Sequence, residues 1–481
     1  MPTCSSDGVP FTNSQQLLDV WQDFLGRKLS CEDLPGAAFA PEQPVEDDEN
    51  TVSFEEFEES VNAIRKGKTP GLDDSPIDVY LASPHAKQEL YEIVCILWRK
   101  EEIPPELVQA VLIMLYKKAP RNDFANYRAI GLLCHSYKVL SILVLRRMQD
   151  RVEQYLPDTQ AGFRKGRGCR DNVLVLKLLM DAILKADEEA IATFIDYTAA
   201  FDSISHRFLD EALTDAGVST KVRRIIRAIY STATGIVRIK QPSGDMVYSG
   251  TFDIRRGAIQ GDIFSPPCFT VGLFRIFGLY DVKCDGIGGS HLNTPVVPKL
   301  EYADDVGLLN KTASDASIRT SALASGSREA AGMEISLKKT KVMPIRRFES
   351  VSETLEEEVA ELNLKFKCPK CSRPFPTQRG MNIHRARWCK PRGRPRSRKG
   401  TLADKAVQLK KRKAQAAALE PVVVNGHQLE NVLRFEYLGC QFSGDGDDTA
   451  DIRHRMAVAQ ERFASLWHIW QYRRLPIPLK L

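Results

Sequence analysis

The chain has 481 residues, of which 27% are charged and 43% hydrophobic, and its formal net charge is +5. These values are typical of a globular protein of about three domains. Apolar runs such as Val108 to Tyr116 are too short to cross a bilayer, and the N-terminus lacks the basic start and apolar core of a signal peptide. The eleven cysteines are scattered apart from one group at Cys368, Cys371 and Cys389, which predicts reduced thiols and an intracellular protein.

The N-terminal part of the sequence predicts two helices, Ser14 to Leu25 and Phe54 to Lys66, joined by an acidic, proline-containing linker from Pro41 to Asn50. The following segment, Lys66 to Asp73, is rich in glycine and basic residues. It is either a ligand-facing loop or a plain turn between elements.

Two apolar strands, Leu107 to Tyr116 and Asn126 to Leu133, are joined by a polar connection. This pattern predicts a hairpin. Lys117 and Lys118 end the first strand and Arg128 lies in the second, so the hairpin can present cations to phosphates.

A long helix is predicted from Ser136 to Tyr155, followed by the basic, glycine-rich loop Gln160 to Arg170. Glycine lets a backbone approach a ligand closely, and Arg164 could contact phosphates of a nucleic-acid backbone. A solvated loop is the alternative. A further helix is predicted from Asn172 to Ala186.

The apolar strand Ile191 to Asp196 ends on an acid, and a helix is predicted from Ala199 to about Gly217. An acid at the rim of a buried strand suits a metal ligand. The same junction would also favour an N-cap aspartate, so both interpretations of Asp196 stay open. Gln260 and Gly261 precede another apolar helix and could lie against a base or sugar.

The segment Glu301 to Leu309 carries two adjacent acids, Asp304 and Asp305, between apolar flanks. It predicts strand, two-residue turn, strand, with the two acids as the turn. Neighbouring carboxylates repel each other unless one is protonated or a divalent cation binds them; a solvated turn is the alternative. A helix from Ser314 to Ala331 follows. The lysines near Lys339 suit either a phosphate clamp or proton donor, or a solvated charge run.

These motifs, in this order, resemble the reverse transcriptases of non-LTR (LINE-type) retrotransposons over roughly residues 60–345 and 422–475. The markers are Gly67–Tyr80, Tyr127–Leu133, Gln160–Arg170, Phe194–Asp202, Gln260–Gly261 with Ser265–Pro266, Tyr302–Asp305, Lys339–Lys341 and Phe435–Gly439.

The resemblance implies an α+β right-hand polymerase with fingers, an antiparallel-sheet palm and a helical thumb. It implies that Asp196, Asp304 and Asp305 hold two Mg²⁺ ions and that Lys339 lies near the pyrophosphate, as its possible general acid. The implied nucleotide- and template-binding residues are Lys117 or Lys118, Arg128, Arg164, Phe201, Gln260 and Gly261, with Phe201 excluding a ribose 2′-hydroxyl. The implied partners are an RNA template, a DNA primer or target and deoxynucleoside triphosphates.

Between Met343 and Val422 stands a segment that the polymerase core does not need. Its spacing C-x2-C-x12-H-x4-C, formed by Cys368, Cys371, His384 and Cys389, predicts one structural Zn²⁺ in a ββα-type finger. In such a finger the helix positions that read bases would be Thr377, Gly380 and Ile383, which are poor at hydrogen-bonding base edges. We therefore expect the module to bind a nucleic-acid backbone or a partner.

The basic run that follows has eleven Lys or Arg residues and one acid between Lys390 and Lys413. Its core Arg392, Gly393, Arg394 and Pro395 resembles an AT-hook, which enters the minor groove of A·T tracts. A generic basic linker or nuclear-localisation run is the alternative. The family that the chain resembles carries out target-primed reverse transcription in the nucleus. We therefore expect a nuclear protein.

The predicted domains are an N-terminal helical extension (1–60), fingers with part of the palm (61–190), the catalytic palm (191–345), the inserted zinc finger and basic segment (346–421), a primer-grip hairpin (422–442) and the start of a thumb (443–481). The thumb is expected to be truncated. The leading hypothesis is an RNA-directed DNA polymerase. The alternative is a non-catalytic nucleic-acid-binding protein from a decayed or repurposed element; the oligomeric state is not predicted.

Overall fold

The computed structural model describes residues 2, 4, 10–30, 51–241, 243–281, 286–289, 294–347, 366–367, 374–375 and 420–446. Helices and strands are mixed throughout these ranges, which confirms the predicted α+β class. Within them, no helix combines the length and apolar character that a bilayer crossing requires.

The helices of the described ranges are α1 (Ser14–Leu29), α2 (Phe54–Ala63), α3 (Ile77–Ala82), α4 (Pro84–Lys100), α5 (Pro105–Val108), α6 (His135–Tyr155), α7 (Cys169–Lys185), α8 (Ala200–Ser203), α9 (His206–Asp215), α10 (Thr220–Thr232), α11 (Ser265–Tyr280) and α12 (Ala313–Ala331).

The strands of the same ranges are β1 (Ala110–Tyr116), β2 (Tyr127–Leu132), β3 (Ala190–Ile195), β4 (Tyr197–Thr198), β5 (Thr234–Lys240), β6 (Met246–Tyr248), β7 (Phe252–Asp253), β8 (Ile287–Gly289), β9 (Thr294–Val297), β10 (Lys299–Tyr302), β11 (Asp305–Asn310), β12 (Glu334–Ile335), β13 (Lys341–Ile345), β14 (Phe366–Lys367), β15 (Pro374–Phe375), β16 (Val423–Val424), β17 (His427–Gln428), β18 (Glu430–Asn431), β19 (Arg434–Tyr437) and β20 (Cys440–Ser443).

The chain divides into two compact units that differ from the predicted domain boundaries. Unit 1 comprises Met1–Leu179, Ala192–Lys341 and Val422–Leu429. Unit 2 comprises Met180–Ile191, Val342–Pro421 and Glu430–Leu481. The first 30 residues, predicted as part of a separate extension, therefore belong to the same unit as the catalytic motifs.

One sheet of unit 1 contains the predicted cationic hairpin. Strands β1 and β2 are antiparallel, with Leu115 opposite Arg128 and Tyr116 opposite Tyr127. β1 also pairs with β5 in parallel, so the sheet order is β2-β1-β5-β6, and β7 pairs with β5. The hairpin is thus fixed on one side by the rest of the sheet.

Helix α1 covers this sheet with an aromatic cluster. Trp21 is fully buried, and its ring centroid lies 4.4 Å from that of Phe124 and 5.3 Å from that of Tyr127. The helix begins after Asn13, whose side chain accepts a hydrogen bond from the backbone of Gln16. Burial of this apolar face is what joins α1 to unit 1.

The helix predicted from Ala199 to Gly217 is instead two helices, α8 and α9. The break falls at Ile204, which is extended, and Ser205 caps α9 by accepting a hydrogen bond from the backbone N–H of Phe208. The Ser205 backbone N–H donates to the carbonyl of Ala331 at 2.9 Å. This tertiary hydrogen bond and the cap explain why the chain forms two helices here instead of one continuous helix.

Unit 2 contains the hairpin of β19 and β20, which pair antiparallel from Arg434 opposite Ser443 to Tyr437 opposite Cys440. Its two-residue turn is Leu438 and Gly439, both with positive φ, which is the geometry that matches the strand twist. Strands β14 and β15 also pair, with Phe366 opposite Phe375.

We predict that Trp21→Ala lowers the free energy of unfolding of unit 1 by about 3–5 kcal/mol, because it empties a fully buried aromatic site. Urea unfolding monitored by far-UV circular dichroism measures the change. Val79→Ala, which trims an exposed side chain, is the control. A loss below about 1 kcal/mol for Trp21→Ala would show that α1 is not part of this core.

Candidate active site

The candidate site is built on the hairpin of β10 and β11. The strands pair antiparallel from Lys299 opposite Leu308 to Tyr302 opposite Asp305. The two-residue turn is therefore Ala303 and Asp304, and Asp305 is the first residue of β11. The predicted turn of Asp304 and Asp305 was wrong by one residue, because Ala303 takes the left-handed conformation (φ 53°) that such a turn needs.

Buried charges hold the base of this hairpin. The Lys299 ammonium lies 3.5 Å from a carboxylate oxygen of Glu301 and 3.7 Å from the ring centroid of Phe277, and burial lowers the pKa of Lys299. Arg319 is buried on α12 and donates to the carbonyl of Pro298 at 2.7 Å and to Asp281. The strands therefore start from a base that buried ion pairs hold in place.

The two hairpin aspartates carry unusual pKa values. Burial, Asp304 and Asp196 raise the pKa of Asp305 to about 6. Burial and the charge of Asp196 also raise the pKa of Asp304, against the opposing charges of Arg128 and Lys117. The three carboxylates predicted to act together are thus close enough to repel each other.

No three His, Cys, Asp or Glu side chains within the described ranges lie close enough together to hold a metal ion. The carboxylates of Asp196, Asp304 and Asp305 therefore interact electrostatically without forming a preassembled coordination cluster. Their hard oxygen donors and their shared negative charge are the chemistry that a divalent cation requires.

Asp196 follows β3 directly. Its carboxylate accepts a hydrogen bond from the Lys339 ammonium at 2.8 Å. Its backbone carbonyl accepts from Ser336 at 2.7 Å, and its N–H donates to the Thr340 hydroxyl at 3.3 Å. The N-cap interpretation of Asp196 is wrong, because β4 intervenes and Ala199 occupies the N-cap of α8.

The cations of the β1–β2 hairpin face the same charges. Lys117, Lys118 and Arg128 are all exposed. Lys117 lowers the pKa of both Asp304 and Asp305, and Arg128 lowers the pKa of Asp304. Lys118 is not among the causes of either pKa shift. The electrostatics therefore favour Lys117 over Lys118 as the lysine that acts on the carboxylates.

Gln260 and Gly261 are held against β2 by a close backbone approach. The Gly131 N–H donates to the Gln260 carbonyl at 2.6 Å. Gly261 has a φ of +120°, and a Cβ there would stand 2.2 Å from the Gly131 carbonyl oxygen. Only glycine fits this position. Next to them, the buried Asp262 accepts hydrogen bonds from Ser141 at 2.6 Å and Ser265 at 2.9 Å.

Phe201 lies half-buried beside the same loop. Its ring stacks on Phe269, with centroids 4.1 Å apart, and meets Phe163 edge-on at 6.1 Å. The Phe201 carbonyl accepts from the Ala258 N–H at 2.6 Å. The side chain is therefore held in place by its contacts with two other rings.

A network that the sequence did not reveal orients Gln260. Its side-chain amide donates to one carboxylate oxygen of Asp202 at 3.3 Å, and Lys28 of α1 pairs with the other at 2.5 Å. Asp202 belongs to a marker motif, although no role had been assigned to it. Lys28 carried no local signal, since only the packing of α1 brings it to this site.

The prediction that Arg164 contacts a nucleic acid does not agree with the structure. Its side chain is only 5% exposed and pairs with Glu153 at 2.6 Å. It also donates to the carbonyl of Gln160 at 2.9 Å and to that of Pro157. Arg164 holds its own loop in place, and no donor is left facing solvent to meet a phosphate.

The predicted zinc ligands Cys368, Cys371, His384 and Cys389 lie outside the described residues. The same holds for the basic motif of Arg392, Gly393, Arg394 and Pro395.

Comparison with known proteins gives the class of the chain. Residues 116–442 match the family described as reverse transcriptase (RNA-dependent DNA polymerase). Because this match covers well over half of the chain, the protein belongs to the reverse transcriptase family. Its similarity to curated proteins points further, to LINE-type reverse transcriptases of non-LTR elements.

Three relatives illustrate this. The transposon TX1 149 kDa protein of Xenopus laevis is 22% identical over 64% of this chain and 24% of its own length. The probable RNA-directed DNA polymerase from transposon BS of Drosophila melanogaster is 27% identical over 54% of this chain and 28% of its own length. The Pol polyprotein of element R2 from Popillia japonica is 28% identical over 41% of this chain and 26% of its own length. The chain thus spans about a quarter of the length of each.

A solved structure of apo telomerase from Candida tropicalis covers 55% of this chain and 56% of its own. It has a TM-score of 0.36 and 12% sequence identity.

We predict a pH-dependent loss of stability from His206, which begins α9. Its ring nitrogen Nε2 donates to the Gly257 carbonyl at 2.8 Å, and its ring stacks on Tyr230 at 4.1 Å. Burial lowers the His206 pKa from 6.5 to about 4. The unfolded chain therefore takes up the proton first, and stability is lost as pH falls from about 6.5 to 4, by roughly 3 kcal/mol.

Urea unfolding at several pH values measures this effect. His206→Gln should flatten the slope between pH 6.5 and 4, whereas His85→Gln, at an exposed site on α4, should keep it. Equal slopes for the wild type and His206→Gln would refute the assignment.

Proposed function

We propose that this chain is the polymerase region of a non-LTR retrotransposon reverse transcriptase, an RNA-directed DNA polymerase that extends a DNA primer on an RNA template. The observation that carries the proposal is the placement of Asp304 and Asp305 at the tip of a hairpin, where burial and the charge of Asp196 raise their pKa values. The cations Lys117 and Arg128 are close enough to act against this shift at Asp304. Family membership supports it.

Asp196, Asp304 and Asp305 are the residues that would hold two Mg²⁺ ions. Magnesium in such a site supplies Lewis-acid stabilisation of the attacking and leaving oxygens in phosphoryl transfer. The raised pKa of Asp305 and of Asp304 supports a divalent cation there, because a cation offsets the burial and the carboxylate repulsion that otherwise favour protonation.

The chain's own residues act around that centre. Lys117 and Arg128 neutralise charge on the triphosphate, as exposed cations beside the carboxylates. Phe201, fixed by its stack on Phe269, excludes a ribose 2′-hydroxyl. Gln260 and Gly261 contact the nascent base pair, and Lys339 next to Asp196 donates the proton that pyrophosphate takes up.

A right-hand arrangement of fingers, palm and thumb is part of this proposal. So is a nuclear site of action on chromosomal DNA, for which Arg392 to Pro395 supply minor-groove contacts. The mixed α+β fold and the family match support the polymerase core, and the concentration of basic residues after Cys389 supports the DNA contact.

We also propose that Cys368, Cys371, His384 and Cys389 bind one structural Zn²⁺. The pairing of Phe366 with Phe375 and of Lys367 with Pro374 supports this. It joins the two ends of the short segment that contains both cysteines, as in the hairpin of a ββα finger.

The polymerase proposal is tested by primer extension with purified protein, an RNA template, a DNA primer, deoxynucleoside triphosphates and Mg²⁺. Asp304→Asn should lower the extension rate by about 100-fold or more, because it removes a charge that the transition state needs. Asp150→Asn, at an exposed site on α6, should extend normally.

Activity that survives Asp304→Asn would refute the role of the carboxylates. Binding of the primer–template duplex without any extension by the wild type would favour the alternative function, a non-catalytic nucleic-acid-binding protein, over the polymerase.

The zinc proposal predicts one Zn²⁺ per chain by metal analysis and none in Cys371→Ser, with the melting transition of the polymerase core retained because the ligands are local in sequence. Cys95→Ser should keep the zinc. Full zinc content in Cys371→Ser, or loss of the core's melting transition, would contradict the proposal.

A further inference from the structure

The loop from Pro157 to Arg164 is folded onto the aspartate hairpin by backbone hydrogen bonds. The Ala161 N–H donates to the Glu301 carbonyl at 2.9 Å, and the Glu301 N–H donates to the Thr159 carbonyl at 3.0 Å. The buried amide of Asn172 donates to the same Glu301 carbonyl at 2.8 Å. The loop thus adds a short parallel bridge to the edge of β10.

Gln160 reaches from this loop to the turn itself. Its side chain is fully buried. Its Oε1 accepts the backbone N–H of Ala303 at 3.0 Å and that of Gly162 at 2.8 Å. One amide oxygen therefore satisfies the first residue of the turn and the loop that faces it.

The Ala303 N–H is the critical donor because Ala303 is strained. It is buried and holds a φ of 53°, a left-handed conformation that costs an alanine about 1–2 kcal/mol. Such a residue persists only where its surroundings hold it. Without the Gln160 oxygen, a buried donor would lose its partner and the strained turn would lose its restraint.

Two other features make the fit tight. A Cβ on Gly162 would stand 2.4 Å from the backbone nitrogen of Ala303, so glycine is needed for the approach. Arg164 fixes the loop from the other side through Glu153 and the Gln160 carbonyl. The loop is therefore a fixed support under Asp304 and Asp305.

We infer that Gln160 is a positioning residue, which sets the turn of Ala303 and Asp304 and thereby the geometry in which Asp304 and Asp305 bind a divalent cation. It acts through the backbone of Ala303, and its buried amide does not contact nucleic acid. The consequence for catalysis rests on the proposed function. The effect of Gln160 on the turn and on metal binding does not depend on activity.

The test compares Gln160→Met, which keeps the length of the side chain and removes the acceptor, with the wild type. Thermal melting across a Mg²⁺ titration, without substrate, gives the Mg²⁺ concentration for half-maximal stabilisation. We expect it to rise about 10-fold or more, since losing a group that orients metal ligands costs 10–100-fold in metal affinity. Primer extension should show the same rise, with an unchanged dissociation constant for the primer–template duplex.

Hydrogen exchange followed by mass spectrometry on a peptide covering residues 299–310 supplies a readout independent of activity. Gln160→Met should speed exchange there, and Gln160→Glu, which keeps an acceptor oxygen, should restore much of the protection. Gln154→Met, at an exposed position of α6, is the matched control and should change none of these quantities.

Gly162→Ala provides a second variant should Gln160→Met fail to fold. Its Cβ pushes against the Ala303 nitrogen while Gln160 is retained, so it should raise the Mg²⁺ requirement in the same direction. An unchanged Mg²⁺ requirement in both variants would overturn the inference, as would a weaker duplex affinity as the main effect of Gln160→Met. An inactive wild type with a normal Mg²⁺ response in melting, shifted by Gln160→Met, would refute the polymerase proposal and leave the positioning role intact.

Discussion

Repulsion between carboxylates is the constraint on which this structure depends. Asp304 and Asp305 are adjacent residues at the tip of a hairpin, and Asp196 directly follows β3. Burial and the charge of neighbouring carboxylates raise the pKa of the hairpin aspartates. Such a cluster tends to spread apart, so it must be carried on backbone that cannot move.

The surrounding fold supplies that rigidity at three levels. Buried ion pairs of Lys299 and Arg319 fix the base of the hairpin. The loop around Gln160 holds its turn. Lys339 offsets the charge of Asp196. Apart from the Lys299–Glu301 pair, which lies within β10, these contacts join residues 38 to 143 positions apart in the chain. The site therefore depends on the tertiary structure of unit 1 rather than on any one motif.

The N-terminal helix takes part in the same arrangement, although it lies outside the residues that match the family. Trp21 packs on the sheet that presents Lys117 and Arg128. Lys28 pairs with Asp202, which in turn orients Gln260. A single helix thus supports both the cationic hairpin and the residue expected at the nascent base pair.

The sequence by itself determined the elements and the chemistry that each carries. Periodicity predicted the hairpin of β1 and β2, the strand before Asp196 and most helices, because local hydrophobic patterns and turn residues specify them. The order of the motifs indicated the family.

Only the tertiary structure decided which groups meet. Arg164 had the residue type of a phosphate ligand, yet its loop folds back so that Glu153 and backbone carbonyls use its donors. Gln160 lies in a marker loop, yet the sequence did not reveal the role of Gln160 or of Lys28, because their partners are 143 and 174 residues away. The turn moved by one residue because the buried Gln160 oxygen holds Ala303 in a conformation that alanine alone disfavours.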